Sequence, residues 1–252
     1  MNKKRLVENV LFPVLAAAFL FLIWFIAAKA EDNVLALPYP KEVLSRFFML
    51  WREKNFYRSL FGTIERTFLC FAISFAFALV FAVIAELFSP SKKFLSPVVS
   101  VLRSAPTVAV ILVLYAFLPA KKMSVIVGFL IGFPVLYSSF SAALSATDKS
   151  LITMSKAYKV PVLRRVFSVY IPSVLPAVFE ASRSTLSLTL KVVIAAEILT
   201  LVPVSLGGKI QTAYASFEIE YLLAWTLLAI AISYVLEIVV SAIKFLVVRW
   251  ER

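Results

Sequence analysis

Six stretches of this sequence run for about 20 residues or more with few charges, the length an α-helix needs to cross a bilayer. They fall at about 9–28, 66–88, 97–118, 123–147, 177–201 and 221–248. The first is uncharged and follows Lys3, Lys4 and Arg5. Ala28-Lys29-Ala30 imitates a signal-peptide cleavage site, but the apolar run is longer than such peptides carry, so a retained helix is expected. The third carries Arg103 near its start and Pro106 soon after. The fourth holds Gly128, Gly132 and Pro134, which suits a helix packed closely on other helices. The fifth is the least apolar, with Glu180, Arg183, Lys191 and Glu197, and the sixth carries Glu237 and Lys244 in its last third. The expected fold is all-α: a polytopic membrane protein of six transmembrane helices in a single domain, 1–252, with no hidden repeat.

Two connecting segments are patterned rather than loose. In 32–64, Leu44, Phe47, Phe48, Trp51, Leu60, Phe61 and Ile64 follow helical spacing between charged residues, which predicts an amphipathic helix in the outer interface. In 148–176, between the fourth and fifth spans, Asp148 can cap a helix. Leu151, Met154, Ser155 and Tyr158 then recur at i, i+3, i+4 and i+7, among Lys149, Lys156 and Lys159. Pro161 stops that helix and can start another carrying Arg164 and Arg165. From spacing alone, the face could seat in a partner's groove or lie on lipid headgroups, and both stay open.

Composition agrees with lipid as part of the solvent: 62% of residues are hydrophobic, 16% are charged, and mean hydropathy is +0.95. The sequence has no histidine, which removes His-based catalysis and His-ligated metal, and one cysteine, Cys70, in an apolar run. Cys70 is expected to be an inert thiol. A net charge of +12 would suggest nucleic acid in a soluble protein. Here basic loops and anionic lipid explain it better, no nucleic-acid recognition motif is present, and no nucleic-acid partner is expected. Basic residues concentrate in the segments that face one side if the N-terminus is inside, among them Lys92, Lys93, Lys149, Lys156, Arg249 and Arg252. Both termini are therefore expected in the cytoplasm.

From about Leu37 onward the chain resembles the inner-membrane permease subunit of ATP-binding-cassette (ABC) importers, in the nitrate, sulfonate, taurine and thiamine-precursor branch. The likeness rests on Leu37-Pro38-Tyr39-Pro40-Lys41-Glu42-Val43-Leu44, Arg103-Ser104-Ala105-Pro106 and the run from Asp148 to Pro161. It continues in Ile171-Pro172-Ser173-Val174-Leu175-Pro176, Ala195-Ala196-Glu197-Ile198-Leu199 and Ser205-Leu206-Gly207-Gly208. The family's Glu-Ala-Ala…Gly signature reads here as Thr153-Met154-Ser155, with Ala157 kept and Lys159 at the glycine. The resemblance implies a coupling helix that docks on a cytoplasmic ABC ATPase through Leu151, Met154, Ser155, Ala157, Tyr158 and Lys159. It also implies an extracytoplasmic substrate-binding protein, a pair of permeases that can be a homodimer, and residence in the cytoplasmic (inner) membrane.

The chain itself is not expected to be an enzyme or to hold a cofactor. Gly207-Gly208-Lys209-Ile210 lacks both the first glycine and the Ser/Thr of a phosphate loop, so ATP hydrolysis belongs on a separate subunit. Glu180, Ser184, Ser187 and Lys191 share a helical face flanked by Arg183, and a polar stripe through a span packs inward or lines a wet cavity. Arg183, Ser184, Ser187 and Lys191 are the candidate pathway residues, with Lys191 suited to an anionic solute. A stand-alone secondary transporter or channel is the alternative. It lacks a mid-span acidic relay and an inverted repeat. A structural assembly factor has no positive feature.

Overall fold

Uncharged, Leu/Ile/Phe/Val-rich runs satisfy their backbone only as helices once water is excluded, and helices are what the chain forms. In a computed structural model of the chain, residues 3–31 and 37–248 are described, and no strand occurs among them. Arg249, Arg252 and the start of the predicted 32–64 helix lie outside the described residues.

The helices are α1 (Lys3–Glu31), α2 (Pro40–Met49), α3 (Phe56–Leu87), α4 (Ser89–Ser104), α5 (Thr107–Tyr115) and α6 (Ala120–Ser145). They continue as α7 (Lys149–Ala157), a turn α8 (Val162–Arg165), α9 (Ile171–Leu199), α10 (Leu206–Ala215) and α11 (Ile219–Val247). A π-turn, Val166–Tyr170, joins α8 to α9. Parts of α1, α3, α6 and α11 are long and apolar enough to cross a membrane.

The third expected span is broken. α4 and α5 meet at 91°, and together they count as at most one further span. Pro106 favours the break: helical geometry is disfavoured for the residue before a proline, and Ala105 sits extended at φ −66°, ψ 128°. The stretch expected as the fifth span is one 29-residue helix, α9, but with Glu180, Arg183, Lys191 and Glu197 it is not among the helices apolar enough to cross a membrane.

The predicted interfacial helix is likewise split. α2 starts at Pro40, with the Tyr39 N–H donating to the Glu42 carboxylate at 2.9 Å. A 3-10 turn, Leu50–Arg52, ends it, and Asn55 at φ 62° turns the chain into α3. Leu60, Phe61 and Ile64 thus belong to α3 instead.

Two compact units are present, 1–57 with 209–228, and 58–208 with 229–252. In the first, Phe56 stacks near Trp51 and Trp225, with ring centroids 4.8 and 5.7 Å away. Arg46 pairs with Glu220 at 2.6 Å and lies over Tyr221, and Lys209 pairs with Glu53 at 3.5 Å.

The second unit is built on small residues. Ser59, Thr63, Thr67, Cys70, Ser74, Ala78, Ala82 and Ala85 recur at helical spacing along α3 and are all buried. Gly128 and Gly132 of α6 press into this groove. A Cβ on Gly128 would come within 2.6 Å of Cys70 Sγ, and one on Gly132 within 2.9 Å of Thr189 and 3.1 Å of Ser74. Close backbone approach through small residues is how helices gain contact when lipid competes for every apolar surface. Cys70 is a core thiol, its S–H directed to the Thr67 carbonyl at 3.2 Å. Aromatic rings of α3 and α6 (Phe75, Phe81, Phe129, Phe133, Phe140) fill the space beside this contact.

Candidate functional site

Three features of the second unit bear on function: one stripe of α9, the start of α10, and α7.

α9 is buried over most of its surface, including Thr185, Leu186, Thr189, Leu190, Val193 and Ala196. Between Glu180 and Lys191 the exposed residues are all polar or charged: Glu180, Arg183, Ser184 and Lys191. Ser187 is not among them; it is buried and shares a short hydrogen bond with Ser233 of α11. The predicted face is therefore divided, with three members open and Ser187 gluing α9 to α11. Glu180 pairs with Lys244 at 3.0 Å, and Arg183 meets Glu237 at 3.4 Å, so α9 and α11 are cross-linked by two ion pairs of opposite polarity. Lys191 has no carboxylate within 4 Å among the described residues. It is a free positive charge on an otherwise neutralised stripe.

At the far end of α9 lies a buried ion pair that sequence reasoning missed. Glu197 is fully buried, and its carboxylate accepts from Arg66 Nη1 and from Thr63 Oγ1, the latter at 2.9 Å. The Gly207 N–H donates to the same carboxylate at 3.2 Å, and the Leu206 N–H donates to Thr63 Oγ1 at 3.0 Å. Ser205 Oγ accepts from the Gly208 N–H at 2.8 Å. The first three N–H groups of α10, which no helix can satisfy by itself, are all taken by side chains. A carboxylate at a helix N-terminus is also electrostatically favoured. Both glycines are sterically required. A Cβ on Gly207 would lie 2.5 Å from Glu197 Cβ and 2.6 Å from the Ile194 carbonyl, and one on Gly208 would collide with the Val202 carbonyl. The resemblance motifs around Glu197 and Gly207-Gly208 are two halves of one latch. The available signal was two opposite charges, Arg66 and Glu197, each near an end of an apolar span.

α7 is held at both ends by its own residues. The Asp148 carboxylate accepts from the Ser150 N–H at 2.7 Å, and these bonds to Ser150 hold its pKa below the ordinary aspartate value. At the other end the Val160 N–H bonds the Ser155 carbonyl and the Lys159 N–H bonds the Lys156 carbonyl, both at 2.9 Å. This is the paired closure that usually uses glycine at the left-handed residue; here Lys159 adopts it at φ 52°. Between these ends Leu151, Met154 and Tyr158 are 41%, 54% and 79% exposed, while Ser155 is buried and bonds the Ile152 carbonyl. Ala157 is exposed beside them. The predicted face is present without Ser155, which turns inward.

Residues 74–252 match the family described as binding-protein-dependent transport system inner membrane component. Solved structures share the fold. An inward-facing MetNI methionine ABC transporter matches with a TM-score of 0.64 and 18% identity, over 77% of this chain and 95% of that one. A bacterial ABC transporter that imports the acidic polysaccharide alginate matches with a TM-score of 0.68 and 13% identity, over 96% of this chain and 99% of that one. No curated protein matches the chain by sequence. The chain belongs to the family of inner-membrane components of binding-protein-dependent transport systems, the permeases of ABC importers.

Proposed function

We propose that this permease couples to a cytoplasmic ABC ATPase through α7 and passes a small solute along the open stripe of α9. The observation that carries the reading is the face of α7. Three large apolar side chains stand in solvent on a helix whose ends are locked, and it falls where the family docks its ATPase. A lone exposed apolar residue means little, but Leu151, Met154 and Tyr158 share one face of a preorganised helix, which lowers the entropy lost on docking. In this reading α7 and both termini are cytoplasmic, all six spans cross, and two permeases, identical or not, enclose the pathway. An extracytoplasmic binding protein delivers the solute. The uncompensated charge of Lys191 favours an anion, as in the nitrate and sulfonate branch.

The test is reconstitution in vesicles with the ATPase and binding protein. Tyr158→Ala should release the ATPase or uncouple hydrolysis from uptake, since truncating a buried aromatic anchor often costs about 2 kcal/mol or more. Thermal stability should stay within about 0.5 kcal/mol, because Tyr158 is exposed in the isolated chain. Intact coupling in Tyr158→Ala combined with Leu151→Asp would leave α7 as a lipid-surface helix. Uptake driven without ATP would favour the stand-alone transporter. In the same vesicles Lys191→Met should cut uptake while basal hydrolysis persists; unchanged uptake removes Lys191 from the pathway.

A further inference from the structure

We propose that the cleft between α4 and α6 is an oxyanion site, shaped to hold a sulfonate, phosphate or carboxylate group between Lys92 and Arg103. α4 is strongly two-sided. Lys92, Ser96, Ser100, Arg103 and Ser104 fall at i, i+4, i+8, i+11 and i+12, one face of a helix, while Phe94, Val98 and Val101 stand exposed on the other. α6 answers with Tyr137, Ser138 and Ser141. The two polar faces border an open cleft of about 580 Å³, a volume in the range of small-molecule sites. Val99, Tyr137 and Ser141 are buried and form its floor, and the two cations stand at its rim.

The charges in this cleft are not spent internally. No carboxylate lines it, and none lies within 4 Å of Lys92 or Arg103 among the described residues. Lys92 Nζ donates to Ser145 Oγ at 2.9 Å, and that hydroxyl donates onward to Glu86 at 3.0 Å. The lysine is thereby anchored through a neutral group with donors left over. Arg103 reaches only Ser138 Oγ, at 3.4 Å, and the Ser138 proton is already given to the Pro134 carbonyl at 2.7 Å. Four of five guanidinium donors are unused, in a fork that fits two oxygens of one anion. Ser96 and Ser100 hydroxyls have no partner among the described residues and can donate too. Two cations with no carboxylate in direct contact, and unused hydroxyls beside them, repel cations and leave neutral ligands with unmatched donors; an oxyanion satisfies both.

The oxyanion has two physical sources: a free anionic solute, or the headgroup of an anionic lipid whose tails lie along the exposed apolar side of α4. The full-length chain, with the subunits that co-purify, is placed in phosphatidylcholine nanodiscs and titrated with radiolabelled sulfate at low ionic strength. A second set contains a minority of spin-labelled phosphatidylglycerol, whose immobilised fraction reports headgroup capture. Arg103→Gln and Lys92→Gln should each weaken binding about tenfold, the scale of one charge-assisted contact. Arg103→Lys should fall between. Loss in the sulfate set assigns the site to a solute, and loss in the phosphatidylglycerol set assigns it to lipid; either supports the proposal. Binding absent from both sets, or unchanged in Arg103→Gln at wild-type melting temperature, overturns it. If Arg103→Gln melts early, the exposed Lys92→Gln decides alone, and unchanged binding there overturns it as well. Binding is read without nucleotide, so the result is independent of how α7 couples.

Discussion

α7 and α10 are nearly equal in length, nine and ten residues, and both close on a non-glycine left-handed residue, Lys159 and Phe217. They differ in how they begin. α7 caps itself with Asp148, one residue before its start. α10 takes its first caps from Thr63 and Glu197, far away in the sequence, as well as from Ser205. A self-capped helix keeps its shape with no neighbour on its apolar face, so that face can be offered to something else. A helix capped by distant side chains is fixed to the elements that supply them. The chain thus holds one short helix built to be fastened and another built to be available.

The largest effect should come from removing the fastening. Glu197→Ala leaves Arg66 mostly buried without its partner and frees the N–H of Gly207, and breaking a buried pair from one side costs about 3–5 kcal/mol. Melting in detergent should show it, and Glu197→Gln with Arg66→Met should lose less than the two single changes together. Additive losses would mean the pair is not coupled and the latch is only packing. The corresponding change at α7, Asp148→Ala, removes a fully local cap and should leave the melting of the spans unmoved.

Next in size is Gly207→Ala. A methyl group there meets Glu197 Cβ and the Ile194 backbone at distances no relaxed structure holds, so α9 or α10 must shift. The expected loss is about 1–3 kcal/mol, as for overpacking elsewhere. Wild-type stability in this variant would mean the start of α10 sits farther from α9 than described.

The same contrast explains what could be read from sequence. Features set by neighbours in the chain were legible: the long apolar helices, the Asp148 cap, the exposed Leu151, Met154 and Tyr158, and the close packing at Gly128 and Gly132. Features set by distant partners were not. Arg66 and Glu197 are separated by 131 positions, and only the fold brings them together. The cleft between α4 and α6 is hidden in the sequence because the apolar run through 97–118 continues past the break, which dissolves the polar face of α4. The one local signal for that break is Pro106, through its restriction on Ala105. Ser187 fails for a finer reason. It lies in the middle of the α9 stripe by helical angle, between Arg183 and Lys191, but at its level Ser233 of α11 covers it.

The smallest effect tests the other end of α7 and should have the opposite sign to Gly207→Ala. Lys159 holds φ 52°, a conformation that costs an ordinary L-residue about 1–2 kcal/mol and glycine almost nothing. Glycine also gives the unfolded chain more freedom, which removes part of the gain. Lys159→Gly should therefore stabilise α7 by about 0.5 kcal/mol, seen as slower hydrogen exchange at the Tyr158, Lys159 and Val160 amides. The bonds from Val160 to Ser155 and from Lys159 to Lys156 already define the closure, so the variant needs no new contact to gain. Adding a glycine at a left-handed turn tightens the free helix, whereas deleting one at a crowded contact loosens the fastened one. Faster exchange in Lys159→Gly would show that the lysine side chain, not the backbone turn, holds the end of α7, and the account of α7 as a self-contained helix would fail at that point.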